Sequence, residues 1–278
     1  MNKKNKRIIE RILIYIILII GAIGAMFPFY WMVSSSLKPS NEILQYPPEL
    51  IPSTITLEHF IYVFNTMDVP RSFMNSVIVS GSIVILNAIL SGMVAYALAK
   101  LKFPGKKALF ALVLAFMMLP FQLLIVPLYS LIVKYGLIGT YAGMILPSVV
   151  TSFSIYLLRQ GMITLPNDYI EAARIDGSGH FRIFAQIITP MMKPVFATVI
   201  LTNFFWSWNN FLWPMMVAVQ HDEIATLQVA INRYRGVQSN NWGAIMASCT
   251  LTAIPIVIVY MVLQRQFIES VATSGVKG

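Results

Sequence analysis

Six stretches of this chain, each 24 to 29 residues long, hold no Asp, Glu, Lys or Arg: 12–37, 72–99, 108–133, 135–158, 194–220 and 236–264. A helix that crosses about 30 Å of hydrocarbon needs about 20 predominantly apolar residues, and each stretch meets that length. In lipid, every backbone N–H and C=O must be satisfied within the segment, so helices are the economical structure for runs this apolar. Composition agrees: 57% of residues are hydrophobic and 11% charged, against roughly 25% charged in a soluble domain. The expected fold is all-α, a polytopic membrane protein with six transmembrane helices.

The formal net charge of +9 invites a nucleic-acid reading, but its distribution excludes one. With the N-terminus placed in the cytoplasm, the inside segments are 1–11, 100–107, 159–193 and 265–278. These carry fifteen of the 20 Lys and Arg, beginning with Lys3, Lys4, Lys6, Arg7 and Arg11; outside lie only Lys38, Arg71, Lys134, Arg233 and Arg235. Such a bias in short loops orients membrane proteins. Both termini are therefore expected in the cytoplasm, in an inner (cytoplasmic) membrane.

The basic start followed by Ile12 to Ile20 has the outline of a secretory signal. A cleaved apolar region is about 7–15 residues, whereas this one continues through Phe27, Tyr30 and Trp31 to Leu37, so it reads as an uncleaved first span. Cys249 is the single cysteine, which leaves no disulfide framework and no cysteine metal site. His59, His180 and His221 form no ligand-spaced pair, and each is expected at a surface or in a loop.

Between the first two spans, 38–71 carries Pro39, Pro47, Pro48, Pro52 and Pro70 among aromatics; prolines at that density forbid a long helix and fit a short folded cap. Phe103-Pro104-Gly105 reads as a tight hairpin. Pro120, Pro127 and Pro255 lie within spans, where freed carbonyls need neighbouring helices or a water-lined path; packing and a pathway fit equally. Ser80, Gly81, Asn87, Ser91, Gly92 and Ala95, with Gly136, Gly139 and Gly143, read as close-packing positions.

Several chemistries are absent. No span carries the ionisable residue that an ion-coupled transporter keeps in the membrane. Gly105-Lys106-Lys107 lacks the upstream glycine and the hydroxyl of a phosphate-binding loop, and no Ser/His/Asp arrangement is apparent. A chain with a membrane path but neither coupling charge nor ATP site must draw energy from another subunit.

The longest inside loop, about 159–193, reads as helix, turn, helix. Pro166 ends what precedes it, Asp168 and Glu171 have capping-box spacing, and Gly177 is placed as a left-handed residue after a helix. Ser178 is positioned to cap a second helix with Phe181, Phe184, Ala185 and Ile188 on one face. As structure alone, Glu171 is a cap and the loop a connector.

These residues also resemble the hallmark of the binding-protein-dependent ABC importer permeases: Glu-Ala-Ala, three residues, Gly, nine residues, then Ile-x-Leu-Pro. Glu171-Ala172-Ala173, Gly177, Ile187 and Pro190 match that spacing, and Thr189 stands where the pattern has Leu. Ser36-Leu37-Lys38-Pro39, Asn75-Ser76, Tyr96-Ala97-Leu98-Ala99 and Trp208-Asn209-Asn210-Phe211 are similar to the carbohydrate branch, in its second, maltose-type permease. Many relatives have an acidic residue where Asn210 stands.

The resemblance implies a type I ABC importer permease fold. One transmembrane domain over 1–278 would comprise helix 1 at about 12–37, a core of five helices at about 72–264 and a coupling loop at about 161–190. It implies a subunit that is not an enzyme and binds no cofactor, with ATP and Mg on a separate ATPase. The implied partners are a second non-identical permease, two ATPase subunits, an extracellular solute-binding protein, a sugar and the lipid bilayer, with no nucleic acid. Glu171 would contact the ATPase, Ala172 and Ala173 form a close-packing face, and Asp176 and Gly177 complete the loop. The tail from Phe267 to Gly278 would reach the ATPase subunits or simply fray. For the pathway, the polar and aromatic residues inside spans are Asn87, Gln122, Asn203, Trp206, Trp208, Asn209 and Asn210; amides and flat aromatic faces are what sugars bind. Trp206, Trp208 and Trp213 fit interfacial anchoring or packing equally well. An importer of the same build for a phosphodiester or a peptide is the alternative, and a non-transport scaffold or channel would have no use for the coupling motif.

Overall fold

A computed structural model describes residues 3–237 and 241–275, and among them every regular element is helical. The chain divides into two compact units, Met1–Asp68 with Arg233–Ala253, and Val69–Asn232 with Ile254–Gly278.

In the first unit, α1 (Lys3–Ser36) is apolar on all sides from Ile12 to Tyr30 and exposed there, with burial among its described residues confined to its end at Ser34–Ser36. Lipid is the solvent such a surface requires. The following segment folds back on the helix end: Tyr30 Oη and Ser34 Oγ donate to the Leu50 carbonyl at 2.8 and 2.7 Å, and Thr56 N donates to Leu37 O at 2.9 Å. Lys38 is buried, its ammonium bonded to Glu49 O and 4.2 Å from the Trp31 ring centre; a carbonyl and an aromatic face offset the desolvation of its charge. The short helix α2 (Glu58–Thr66) completes this cap. His59, expected at a surface, is instead 2% exposed, with Nε2 2.9 Å from Lys38 O. The prolines of 38–71 fold the segment inward, and spacing alone does not register that burial.

In the second unit, α3 (Val69–Lys100) is the central element. It packs against α7 (Ser152–Thr164) and α11 (Lys193–Trp208). Gly92 permits this approach: a Cβ there would lie 3.0 Å from the Phe184 ring and 3.2 Å from the Phe196 ring. Between them run α4 (Lys106–Met117), α5 (Phe121–Lys134), α6 (Tyr141–Ile145), α8 (Asp168–Ile175), α9 (His180–Ile183) and α10 (Thr189–Met191). After α11 comes α12 (Leu212–Val217), and then α13 (Leu227–Val237) and α14 (Trp242–Gly275), each of which has residues in both units. Asn75 and Ser76, at the start of α3, pin the 223–227 segment: Asn75 Nδ2 donates to Glu223 O and Ala225 O at 3.0 and 2.9 Å, and Ser76 Oγ accepts from Leu227 N at 2.8 Å.

Among the described residues, three helices are long and apolar enough to cross a membrane, and up to six crossings result when each bent pair is one span. The second stretch coincides with α3. The third breaks at Met118–Pro120 with a bend of 102° between α4 and α5, since Pro120 has no N–H to continue a helix. The fourth begins later and ends later than expected, with a 44° bend between Tyr141–Ser148 and α7. Gly136 and Gly139 have positive φ and form a turn; Gly139 and Gly143 are close-approach positions, where a Cβ would meet the His221 ring and Leu137 O, whereas Gly136 has open space. At the far end Arg159 stays helical, its Nε donating to Leu98 O at 3.1 Å and its guanidinium over the Phe110 ring. The fifth stretch ends as a helix at Trp208 and resumes as α12. The sixth starts at Trp242 and remains helical to Gly275, because capping rather than charge ends a helix; the side chains of the Phe267–Gly278 tail lie outside the described residues.

Candidate functional site

Three interruptions in successive spans meet at one cavity of about 480 Å³. The break before α5 brings Phe121 and Gln122 to it, the bend before α7 brings Ser148 and Thr151, and the interruption after α11 brings Asn209, Asn210, Phe211 and Leu212. Non-helical backbone at membrane depth is tolerable where protein buries it or a cavity solvates it. Asn203, Phe205, Trp206, Ser207 and Ile83 complete the wall. None of these side chains is ionisable; the surface is amide, hydroxyl and aromatic. Asn209 Nδ2 donates to Phe205 O at 2.9 Å and its Oδ1 accepts from Gln228 at 3.4 Å, while Asn210 Oδ1 accepts from Trp213 N at 3.4 Å. These bonds fix the exposed Asn209 amide and the half-buried Asn210 amide.

Five of the seven pathway residues expected from the sequence therefore share this cavity: Gln122, Asn203, Trp206, Asn209 and Asn210. Two do not. Trp208 is 2% exposed, stacked on Phe204 and edge-on to Phe73 with ring centres 5.5 and 5.6 Å away. It is a packing residue, whereas Trp206 is 70% exposed. Asn87 is fully buried behind the wall. Trp213 is also buried, with Nε1 donating to Gly143 O at 3.1 Å. The wall residues Ser148, Thr151 and Ser207 were missed, because hydroxyls in spans commonly bond to their own helix.

The 161–190 segment is strapped to the ends of the core helices. Lys100 Nζ donates to Leu165 O at 2.6 Å and Asn167 Oδ1 at 2.8 Å, and Tyr96 Oη lies 3.2 Å from His180 Nδ1. Ile170, Ala173, Ile183, Phe184 and Ile188 join a buried cluster with Leu158, Met162 and Phe196. Gly177 has φ +80°; Ser178 N donates to Ala173 O at 2.9 Å and Gly177 N to Arg174 O at 3.0 Å. That bond pair is a Schellman motif with glycine at the left-handed position. Asn167, not Asp168, occupies the N-cap of α8 and makes no side-chain cap bond, so the capping-box reading fails; Ser178 likewise gives way to Gly179 as the cap of α9.

Two expected faces also change. Ala173 is buried, but Ala172 and Glu171 point outward with Asp176, since adjacent helical positions lie about 100° apart. In the second helix a π-turn over Phe184–Ile188 rotates the register. Pro190 cannot donate to residue 186, and Thr189 Oγ1 donates to Phe184 O at 2.9 Å within that turn. The buried face becomes Ile183, Phe184 and Ile188, leaving Ala185 exposed and Phe181 68% exposed. With Ile175 at 87% exposure and Tyr169 nearby in sequence, the outer face carries apolar surface of the kind that marks an interface. Beside it, Lys100, Lys102, Asn167, Glu171, Arg174 and His180 line a cleft of about 410 Å³. Among the described residues, no group of three or more His, Cys, Asp or Glu is placed to hold a metal.

Comparison with known proteins decides the family. The description "Binding-protein-dependent transport system inner membrane component" matches residues 87–272. The chain belongs to this family of transport permeases. It is 38% identical to the arabinooligosaccharides transport system permease protein AraQ of Halalkalibacterium halodurans, over 91% of this chain and 92% of that one. It is 35% identical to the diacetylchitobiose uptake system permease protein NgcG of Streptomyces coelicolor (92% and 85% covered). The sn-glycerol-3-phosphate transport system permease protein UgpE of Rhizobium meliloti is 31% identical (95% and 97% covered). Among solved structures, a bacterial ABC transporter involved in the import of the acidic polysaccharide alginate has a chain that superposes with a TM-score of 0.82 at 23% identity, covering 96% of this chain and 99% of that one. The fold is thus that of an ABC importer permease, a multi-pass membrane protein. The permease is a transport subunit and not an enzyme, as its relatives are.

Proposed function

We propose that this permease is one of two non-identical permeases in an ATP-driven importer, and that it moves an uncharged mono- or oligosaccharide delivered by an extracellular binding protein. The observation that carries the substrate reading is the cavity wall without an ionisable group, in which Gln122, Asn203, Asn209 and Asn210 surround the exposed Trp206. Amides pair with neutral hydroxyls, and an aromatic face receives the apolar face of a sugar ring. A phosphodiester would favour Arg or Lys, which this wall lacks, so the phosphodiester and peptide alternatives are the weaker readings. The arabinooligosaccharide and diacetylchitobiose relatives support a saccharide. Trp206→Ala is expected to raise the half-saturation concentration for uptake roughly tenfold, in line with one lost aromatic contact. Labelled arabinotriose in cells that express the whole importer is the assay; undiminished uptake at limiting sugar would sink the reading.

The segment 161–190 is assigned to energy coupling. Two ATPase subunits would hold ATP and Mg, and this chain no cofactor; ATP binding would bias the core between inward- and outward-facing states. Support comes from Glu171, Ala172 and Asp176, exposed beside Ile175 and Phe181. Glu171→Ala is expected to leave membrane insertion intact and to lower uptake and ATPase association severalfold. Undiminished binding-protein-stimulated ATPase activity in the purified variant would remove that role.

The 15-to-5 division of basic residues supports cytoplasmic termini, with 38–71 outside and no nucleic-acid partner. In a Cys249→Ser background, Thr54→Cys and Ser178→Cys are expected to react with an impermeant thiol reagent from opposite faces of the membrane. Labelling of both in intact spheroplasts would overturn the orientation.

A further inference from the structure

We propose that Asn87 and Ser91 on α3 form a positioning pair that fixes the bend in the fourth span and thereby sets the substrate-facing wall made by Ser148 and Thr151. In an unbroken helix the Ser148 carbonyl would accept from residue 152, and the Thr151 N–H would donate to residue 147. The bend before α7 removes both bonds at a depth where an unsatisfied backbone group costs several kcal/mol, roughly. The two freed groups are taken by side chains of another helix: Asn87 Nδ2 donates to Ser148 O at 3.3 Å, and Ser91 Oγ accepts from Thr151 N at 3.4 Å. Asn87 and Ser91 are four residues apart, on one face of α3, and both are fully buried.

The same amide reaches the wall directly. Asn87 Nδ2 also donates to Thr151 Oγ1 at 3.3 Å, and that hydroxyl donates to Ser154 Oγ at 2.8 Å. Ser154 in turn accepts from Asn203 Nδ2 at 3.0 Å, and Asn203 Nδ2 donates as well to Val199 O at 2.8 Å. One chain of bonds therefore joins α3, α7 and α11, with Thr151 and Asn203 facing the cavity and Asn87, Ser91 and Ser154 behind it. The amide orientation is assigned from the Ser148 carbonyl: reversed, Asn87 would set its own carbonyl oxygen against it, whereas as placed Asn87 Oδ1 is buried without a hydrogen-bond partner among the described residues. Ordinary small-residue packing on α3 accounts for Gly92 and Ala95, but not for two polar side chains each bonded to a backbone group that the bend releases.

The experiment uses the whole importer, with its partner permease, ATPase and binding protein. Asn87→Leu keeps the γ-branched shape, at a larger volume, and removes both donors; Ser91→Ala removes a single acceptor without adding volume and serves if the first variant assembles poorly. With labelled arabinotriose, and at matched amounts of assembled importer, the half-saturation concentration for uptake is expected to rise about five- to tenfold for Asn87→Leu, the equivalent of one to two membrane hydrogen bonds. That arm rests on the sugar reading above. The second arm does not: Ser148→Cys, in the Cys249→Ser background, is expected to change its rate of maleimide modification about fivefold when Asn87→Leu is added. A lower yield of importer with unchanged half-saturation and an unchanged modification rate for Ser148→Cys would reduce the pair to a packing role and overturn the proposal. If the parent importer takes up no arabinotriose, the substrate choice has failed, and the modification rates alone decide.

Discussion

Gly177→Leu is expected to cut ATP-driven uptake roughly tenfold or more while the chain still reaches the membrane in normal amounts. Gly177 sits at φ +80° and has nothing within 4 Å of an added Cβ. The penalty is therefore that of the backbone, about 1–2 kcal/mol for an L-residue in the left-handed region, and not one of crowding. Strain of that size shifts the turn's equilibrium about tenfold against the pair of bonds from Ser178 N and Gly177 N. Losing them loosens the link between α8 and α9 and so disturbs the exposed surface to which Glu171, Ile175 and Phe181 contribute. Because crowding is absent, Gly177→Ala should behave nearly like Gly177→Leu, whereas Gly177→Asn should retain much of the activity, since Asn visits this region readily. Uptake and ATPase stimulation in vesicles with quantified importer check both. Parental rates for Gly177→Leu would show that the turn's geometry is irrelevant to coupling.

Gly243→Ala is expected to be the most damaging single-methyl change in the first unit. A Cβ at Gly243 would lie 2.1, 2.2 and 2.4 Å from three atoms of the His59 ring. That ring is buried and held by the Lys38 carbonyl, so it moves only by giving up its hydrogen bond. Overpacking of about 1–3 kcal/mol together with about 1 kcal/mol for the bond predicts a loss of roughly 2–4 kcal/mol, read as a fall in the Tm of the importer in detergent. His59→Ala should itself destabilise, yet adding it to Gly243→Ala should recover part of the loss, the non-additivity that two touching residues show. An unchanged Tm for Gly243→Ala, or strict additivity in the double variant, would exclude the contact.

The contrast between Trp206 and Trp208 marks where sequence reading stops. Two residues along a helix correspond to about 200° of rotation, so one of the two had to face away from any pathway; the partners Phe204 and Phe73, which decide which, come from packing. His59 is similar, an isolated histidine whose burial depends on a proline-rich segment folding back over it. The second helix of the 161–190 segment keeps Phe184 and Ile188 of its expected face but exposes Phe181 and Ala185 and buries Ile183, since a five-residue π-turn before Pro190 shifts the register and no 3.6-residue period anticipates that.

What the sequence by itself determined follows from local physics. Long charge-free runs must be helical in lipid; Gly177 at a helix end takes a positive φ; the amides Gln122, Asn203, Asn209 and Asn210 within apolar runs must find protein or a cavity; and the spacing from Glu171 to Pro190 carries the family. What only the tertiary structure decided is where those runs break and what the breaks create. A helix is interrupted at membrane depth only where protein or a cavity supplies the missing hydrogen bonds, as Asn87 and Ser91 do in part for the fourth span, and such pairings between residues some 60 positions apart are set by packing and not by any local pattern.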